Sequence, residues 1–279
     1  MKTPAQRHFE RMSARQASAA GSPGASLAGA NRYELMLAKL TNDRRRLKEI
    51  QSIERKADVK REVLPEYADY VAGALEGGRG AQDDVLMTVM VWRIDTGDYD
   101  GALDIAGYAL THGLTMPDQY DRTLPTVIAE EFAEAALKAM DADQVFPALR
   151  LAMVISLTDK CDMPDQVRAK LLKSYAYSLK VGAGDPAGPD RSVYEEALNI
   201  LRRAVVLYDR VGVKKDIAAL EKALAKPAGG PPGGVERADD GREDEAAPDA
   251  PPGRGGGDRP GRRGQRGGSA APAVATASV

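Results

Sequence analysis

Aspartates at short spacing in the middle of the chain are the residues that could support metal-dependent chemistry. Cleavage of a phosphodiester with Mg²⁺ normally needs two or three carboxylates that converge on the ion. The weak candidates are Asp83, Asp84, Asp95 and Asp98. Each also has an ordinary structural explanation, because the first two would start a helix and the last two would flank a turn. Catalytic residues and metal ligands therefore stay unknown; no cofactor is evident, and Mg²⁺ is expected only for a nuclease.

A second set of candidates is basic and lies near the N-terminus. Residues 1–62 carry 14 Lys and Arg against 7 Asp and Glu, whereas residues 63–225 carry 17 against 26. A basic front on an acidic body favours a polyanion such as duplex DNA as a partner, although basic helices are often only solvated faces. The candidate phosphate contacts are Arg7, Arg11, Arg15, Arg44, Arg45, Arg46, Lys48, Arg55 and Lys56.

Other chemistry finds little support in the sequence. No GxxxxGK[ST] motif is present, so ATP hydrolysis by the P-loop route would need a partner. Cys161 is the only cysteine, and with His8 and His112 it offers too few soft ligands for zinc. The longest apolar stretch is too short to span a bilayer, and no signal peptide is recognisable. We expect a cytoplasmic protein without membrane contact.

The composition predicts an all-α fold, since Ala, Leu, Lys, Arg and Glu are abundant and β-branched runs are scarce. The final segment is rich in Gly, Pro and Arg and cannot bury enough apolar surface to offset the entropy of ordering. Four regions are expected: a basic N-terminal arm (1–30), a long basic helix (31–62), a body of helical hairpins (63–225) and a disordered tail (226–279).

The long helix and the hairpins follow from local patterns. Asn31 is a plausible N-cap, and the apolar residues of 31–62 fall near a heptad stripe that leaves the basic run, including Lys60, on the outside. In the body, "GDYDGALDIAGYAL" and "SVYEEALNILRRAVVLYDRVGV" resemble second helices of tetratricopeptide repeats. Two partial copies leave open a non-catalytic, tetratricopeptide-like adaptor that binds only protein.

Five segments in order resemble the phage small terminase subunit family of temperate tailed phages. The main block is "GAQDDVLMTVMVWRIDTGDYDGALDIAGYALTHGLTMP", which begins at Gly80. The flanking segments are "TPAQRHF" from Thr3, "LPEYADYV" from Leu64, "MPDQVRAKL" from Met163 and "GVKKDI" from Gly212. The resemblance covers roughly residues 1–225 and does not extend to the acidic and Arg/Gly-rich tail.

The resemblance implies a role in packaging viral DNA into the capsid. Members of the family bind double-stranded viral DNA at the packaging site, commonly self-associate, and work with a large ATPase subunit at the portal. The small subunit of this family is usually described as the endonuclease subunit, so the resemblance implies DNA cleavage, either performed or directed by the chain. It does not identify the catalytic residues, and the residues themselves show no metal-nuclease motif.

Overall fold

A computed structural model describes residues 3–19, 27–77, 79–186 and 188–225. Within these ranges the chain forms α-helices joined by short turns and contains no β-strand, so the all-α fold class is confirmed. The helices are α1 (Pro4–Ala19), α2 (Leu27–Lys48), α3 (Ile53–Val63), α4 (Ala68–Gly77), α5 (Asp84–Thr96), α6 (Tyr99–His112), α7 (Leu124–Asp141), α8 (Ala148–Thr158), α9 (Asp165–Lys180), α10 (Arg191–Leu207) and α11 (Lys214–Leu224).

Glycines and prolines end and start the helices of the body where their chemistry predicts. Gly97 and Gly113 follow α5 and α6 with φ of 86° and 68°, a left-handed conformation that glycine adopts without strain. Pro125 lies in the first turn of α7, where its missing N–H costs nothing, and Pro147 directly precedes α8. Local backbone chemistry therefore sets these four helix boundaries of the body.

Residues 31–62, expected to form one long helix, belong to two. α2 begins at Leu27 rather than at Asn31, and the chain turns over residues 49–52 before α3 starts. Ser52 caps α3, because its side chain accepts a hydrogen bond of 3.2 Å from the backbone N–H of Arg55. The turn lays α3 against α5 and buries Lys60, which the sequence had placed on the outer surface.

The centre of the fold is α5, which contacts α2, α3, α6 and α7. Nearly every side chain from Val85 to Ile94 is buried, so this helix is apolar all round, as expected of a helix enclosed by others. Trp92 meets the ring of Tyr67 edge to face, with centroids 6.1 Å apart. Burial on this scale makes α5 the element against which neighbouring functional side chains are positioned.

A second, smaller hydrophobic cluster forms among α9, α10 and α11 around Ala176, Leu201 and Val213. The antiparallel pairs α5–α6 and α9–α10 are the helical hairpins that the two repeat-like phrases had indicated. No helix of the described ranges is long and apolar enough to cross a membrane. Residues 20–26 of the expected N-terminal arm and the expected tail at 226–279 lie outside the described residues.

Candidate nucleic-acid interface and carboxylate pair

The first group of candidate cations lies on α1, which packs closely against α4. Ser13 and Ala14 are buried in this contact. A Cβ at Gly73 of α4 would overlap the backbone of α1, so glycine there permits the close approach. The side chains of three cations of α1, Arg7, Arg11 and Arg15, are exposed beside this contact. Arg11 forms an ion pair of 4.0 Å with Glu76 of α4.

The second group surrounds the turn between α2 and α3, and we call it the basic turn: Arg45, Arg46, Lys48 and Arg55. All four are exposed, and Arg46 is the one with an ion-pair partner among the described residues, Glu62 at 3.1 Å. The side chain of Lys56, also predicted to contact phosphate, is half-buried. Three exposed cations without an internal counter-charge are available to an anionic ligand.

The two groups lie near opposite ends of α2. Arg32, close to the start of α2, pairs with Glu10 of α1 at 3.0 Å. Arg45 lies 13 residues further along α2, which corresponds to roughly 20 Å of helix. The structure therefore brings the candidate cations together as two patches instead of one continuous cluster.

Arg44 differs from its neighbours Arg45 and Arg46 because successive helical residues point about 100° apart. It is half-buried and lies close enough to Tyr120 for its charge to lower the pKa of that hydroxyl. Burial has the larger effect and, with the nearby charge of Asp95, raises the pKa of Tyr120 to about 12. The side chain of Arg44 therefore lies on the side of α2 that faces Tyr120, near the charge of Asp95 and next to the basic turn.

Two of the aspartate candidates, Asp83 and Asp84, open α5. Asp83 is only 6% exposed, caps the helix through a 2.9 Å bond from the Leu86 N–H, and accepts a 2.6 Å bond from the Tyr70 hydroxyl. Burial raises the pKa of the Asp83 carboxyl, and these hydrogen bonds oppose the rise. Asp84 accepts from the Gln82 amide at 3.1 Å. Asp83 is therefore fully engaged in holding α4 and α5 together.

The other two candidates lie at the far end of α5. Asp98 caps α6 by accepting from the Gly101 N–H at 3.1 Å and stands 3.4 Å from the Arg93 guanidinium. Asp95 accepts a 2.5 Å bond from the ammonium of Lys60, a lysine that is 5% exposed. Asp95 thus anchors the end of α3 to α5.

Asp95 also has an acidic neighbour, Glu131, which the sequence did not single out. Burial, followed by the nearby charges of Asp95, Glu134 and Glu130, raises the pKa of Glu131 on α7 to about 7. We call Asp95 and Glu131 the carboxylate pair, because the charge of Asp95 acts on Glu131; Lys60 is bonded to Asp95, and Tyr120 feels the charges of both acids and of Arg44. The available signal was an acid on an apolar helix face, because Glu131 follows Val127 by four residues and Ile128 by three.

The donor set of the carboxylate pair limits what it could hold. Among the described residues, no group of three or more His, Cys, Asp or Glu side chains is arranged to bind a metal ion. Mg²⁺ bound with a nucleic acid often takes one or two protein carboxylates and completes its shell with water and phosphate oxygens. Asp95 and Glu131 could supply that smaller protein share. Within the described ranges, Asp83, Asp84 and Asp98 likewise belong to no group of three side chains that could bind a metal ion.

Comparison with known proteins identifies the family. A sequence model described as "Phage small terminase subunit" matches residues 37–166. The "Terminase, endonuclease subunit" of Escherichia phage P2 is 50% identical over 224 residues, covering 80% of this chain and 86% of that protein. The "Probable terminase, endonuclease subunit" of Haemophilus phage HP1 is 27% identical over 192 residues, covering 67% and 68%. No solved structure matches the chain. The chain belongs to the phage small terminase subunit family.

Proposed function

We propose that this chain binds packaging-site DNA as the small subunit of a phage DNA-packaging terminase and acts with a separate large ATPase subunit in the host cytoplasm. The observation that carries the proposal is the 50% identity to the terminase endonuclease subunit of phage P2 over four fifths of the chain. The absence of a P-loop motif from the sequence supports a division of labour in which ATP hydrolysis belongs to the partner.

DNA contact is assigned first to the basic turn. Arg45, Lys48 and Arg55 are exposed, and no ion pair within the described part of the chain occupies them. Duplex phosphates attract such cations, and each contact releases condensed counterions from the DNA. The cations of α1 form a second contact at the other end of α2, where they would position the duplex without reading its sequence.

The binding proposal is tested by titrating a duplex with the packaging sequence into the full-length protein and following fluorescence anisotropy. We expect tighter binding than to a scrambled duplex of the same length and composition, measured at one stated salt concentration. Equal affinity for the two duplexes would contradict recognition of a site. No detectable binding to either duplex at low salt would contradict DNA binding altogether.

Self-association belongs to the same proposal, because several small subunits would multiply the number of phosphate contacts made by one chain. Effective concentration then raises the affinity of each further contact without any new type of interaction. Light-scattering mass with and without the duplex measures the number of chains. A mass of one chain in both conditions would remove this part of the proposal.

A second candidate function, cleavage by the chain itself, is favoured by the position of the carboxylate pair. Lys60 lies five residues beyond Arg55 on α3, or about 7–8 Å along the helix, so the pair lies close to the basic turn. Mg²⁺ would supply charge stabilisation at the scissile phosphate when bound. Asp95 and Glu131 would hold the ion, and Lys60 would fix the orientation of the Asp95 carboxylate.

A nicking assay separates cleavage by this chain from cleavage by the large subunit. Purified full-length protein is incubated with packaging-site DNA and Mg²⁺, and the Glu131→Gln variant is compared with Glu34→Gln, which changes an exposed glutamate of α2. Cutting that is lost only in Glu131→Gln supports the carboxylate pair. Cutting that survives in Glu131→Gln, or that requires the large subunit, contradicts it. A protein that binds neither duplex and cuts neither would favour the tetratricopeptide-like adaptor.

A further inference from the structure

A cleft of about 420 Å³ opens between α7, α9 and the turn that joins α10 to α11. It lies outside the basic turn and the carboxylate pair. Three cations line it, Lys170, Lys173 and Arg210, together with the polar side chains of Gln166 and Tyr208. A cleft whose polar lining is dominated by hydrogen-bond donors favours an anionic ligand.

The acids near the cleft are already neutralised by other cations. Lys170 donates to Glu134 at 2.6 Å, so this pair contributes no net charge. Glu130, the one acid that lines the cleft, forms an ion pair with Arg122. The remaining charge is that of Lys173 and Arg210, which together leave the cleft with a positive balance.

Lys173 and Arg210 retain hydrogen-bonding capacity for a ligand. The ammonium of Lys173 donates to the Val211 carbonyl at 3.2 Å, which uses one of its three N–H groups. Gly212, with φ of 80°, lets the chain turn so that this carbonyl reaches the lysine. The Arg210 side chain is exposed, and within the described ranges it forms no ion pair. Its planar guanidinium can bind two oxygens of one phosphate at once.

We propose that this cleft binds a phosphate group through Lys173 and Arg210. The volume exceeds what an isolated phosphate ion requires, which leaves room for the group attached to a phosphate ester. Two sources share this chemistry, a phosphodiester of duplex DNA and the phosphate of a free nucleotide. The site is independent of the proposed function, since it can be tested with inorganic phosphate alone.

The first arm of the test titrates inorganic phosphate into the ¹⁵N-labelled full-length protein at constant ionic strength. We expect saturable shifts of the amides of residues 208–213, weakened about tenfold by Arg210→Gln. Lys173→Gln should weaken phosphate binding similarly, but it also removes the bond from Lys173 to the Val211 carbonyl and could change that turn. Arg210→Gln controls for this because it removes no such bond. The matched control is Arg203→Gln, an exposed arginine of α10 outside the cleft. Shifts that do not saturate, or that saturate with the parent's affinity in Arg210→Gln, would overturn the proposal.

The second arm identifies the source of the phosphate by adding duplex DNA in place of phosphate. If DNA is the ligand, Arg210→Gln lowers the salt dependence of duplex binding by about one contact, and phosphate competes with the duplex. If a nucleotide is the ligand, Arg210→Gln leaves duplex affinity unchanged while phosphate binding is weakened about tenfold. Failure of the proposed function would look different, because duplex binding would be absent while the phosphate titration still saturated.

Discussion

The cations of the basic turn and the carboxylates around α5 use charge in opposite ways. At the turn from α2 into α3, Arg45, Lys48 and Arg55 are exposed and carry no internal counter-charge within the described residues. Towards the end of the same helix, Lys60 is buried and bonded to Asp95. An exposed charge that has no partner in the fold can bind a ligand. A buried charge instead affects the stability of the fold and shifts the pKa values of its neighbours.

The largest expected effect follows from removing Asp83, the carboxylate most deeply committed to the fold. Asp83→Ala removes the cap of α5 and leaves the buried Tyr70 hydroxyl without its acceptor. We expect a loss of about 3 kcal/mol in the free energy of unfolding, measured in urea. Asp98→Ala removes an exposed cap and should cost about 1 kcal/mol. Equal losses in the two variants would show that burial adds nothing to the role of Asp83.

Breaking the buried ion pair should have the next largest effect. Asp95→Asn leaves Lys60 buried without a negative partner, and we expect a loss of about 2–3 kcal/mol because Asp95 itself is partly exposed. The double variant Asp95→Asn with Lys60→Met should recover most of that loss. If Asp95→Asn were as stable as the parent, the ion pair would not contribute to stability. If the double variant were less stable than Asp95→Asn, the unpaired buried charge of Lys60 would not be the cause of the loss.

Glu131 offers a pH-dependent test of the same region. Its pKa rises from 4.5 to about 7 on folding, so the folded chain holds a proton that the unfolded chain releases. Its contribution to stability is present below about pH 4.5 and is lost as the pH rises through about 7. Glu131→Gln should therefore raise stability at pH 8 by about 1–2 kcal/mol, less than the full shift implies because solvent reaches part of the carboxyl.

Thermal unfolding from pH 4.5 to 8 measures this effect of Glu131→Gln. The matched Glu34→Gln variant should retain the pH slope of the parent. A parent slope that Glu131→Gln leaves unchanged would show that the acidic surroundings of Glu131 do not penalise its charge.

The smallest effect is expected at the basic turn, when only stability is measured. Arg46 and Glu62 form an exposed ion pair, with side chains 49% and 64% exposed. Arg46→Gln should change the free energy of unfolding by no more than about 0.5 kcal/mol. A loss above about 1.5 kcal/mol would show that Arg46 stabilises the fold as the buried charges do. The two regions would then not differ in the way proposed.

Local chemistry allowed much of the fold to be predicted from the sequence. Gly97, Gly113, Pro125 and Pro147 bound their helices because each acts on the backbone next to it. The turn at residues 49–52 was missed, because the apolar stripe continues across it and Ser52 is a cap only once the chain has turned. A continuous helix would have carried Val59 and Val63 away from α5, so tertiary packing decided the break.

The candidate site was less predictable, because its residues meet only through packing. Asp95 was a candidate on composition alone, and nothing near it in the sequence indicates Lys60, 35 residues earlier, or Glu131 on α7. The cations of the basic turn were candidates because of their charge, but their place at a turn and the separate orientation of Arg44 required the position of α2 against the body. Function came from the resemblance of whole segments, which the comparisons confirm at the level of family.

A variant with three charge reversals at the basic turn tests the central claim most directly. The measurement is the salt dependence of its binding to duplex DNA. For Arg45→Glu, Lys48→Glu and Arg55→Glu combined, we expect at least a ~100-fold loss of affinity at low salt and a log–log slope reduced by about two to three units. Arg203→Glu, an exposed reversal on α10, should leave both nearly unchanged. A triple variant with the parent's affinity and slope would contradict the assignment of DNA contact to this turn.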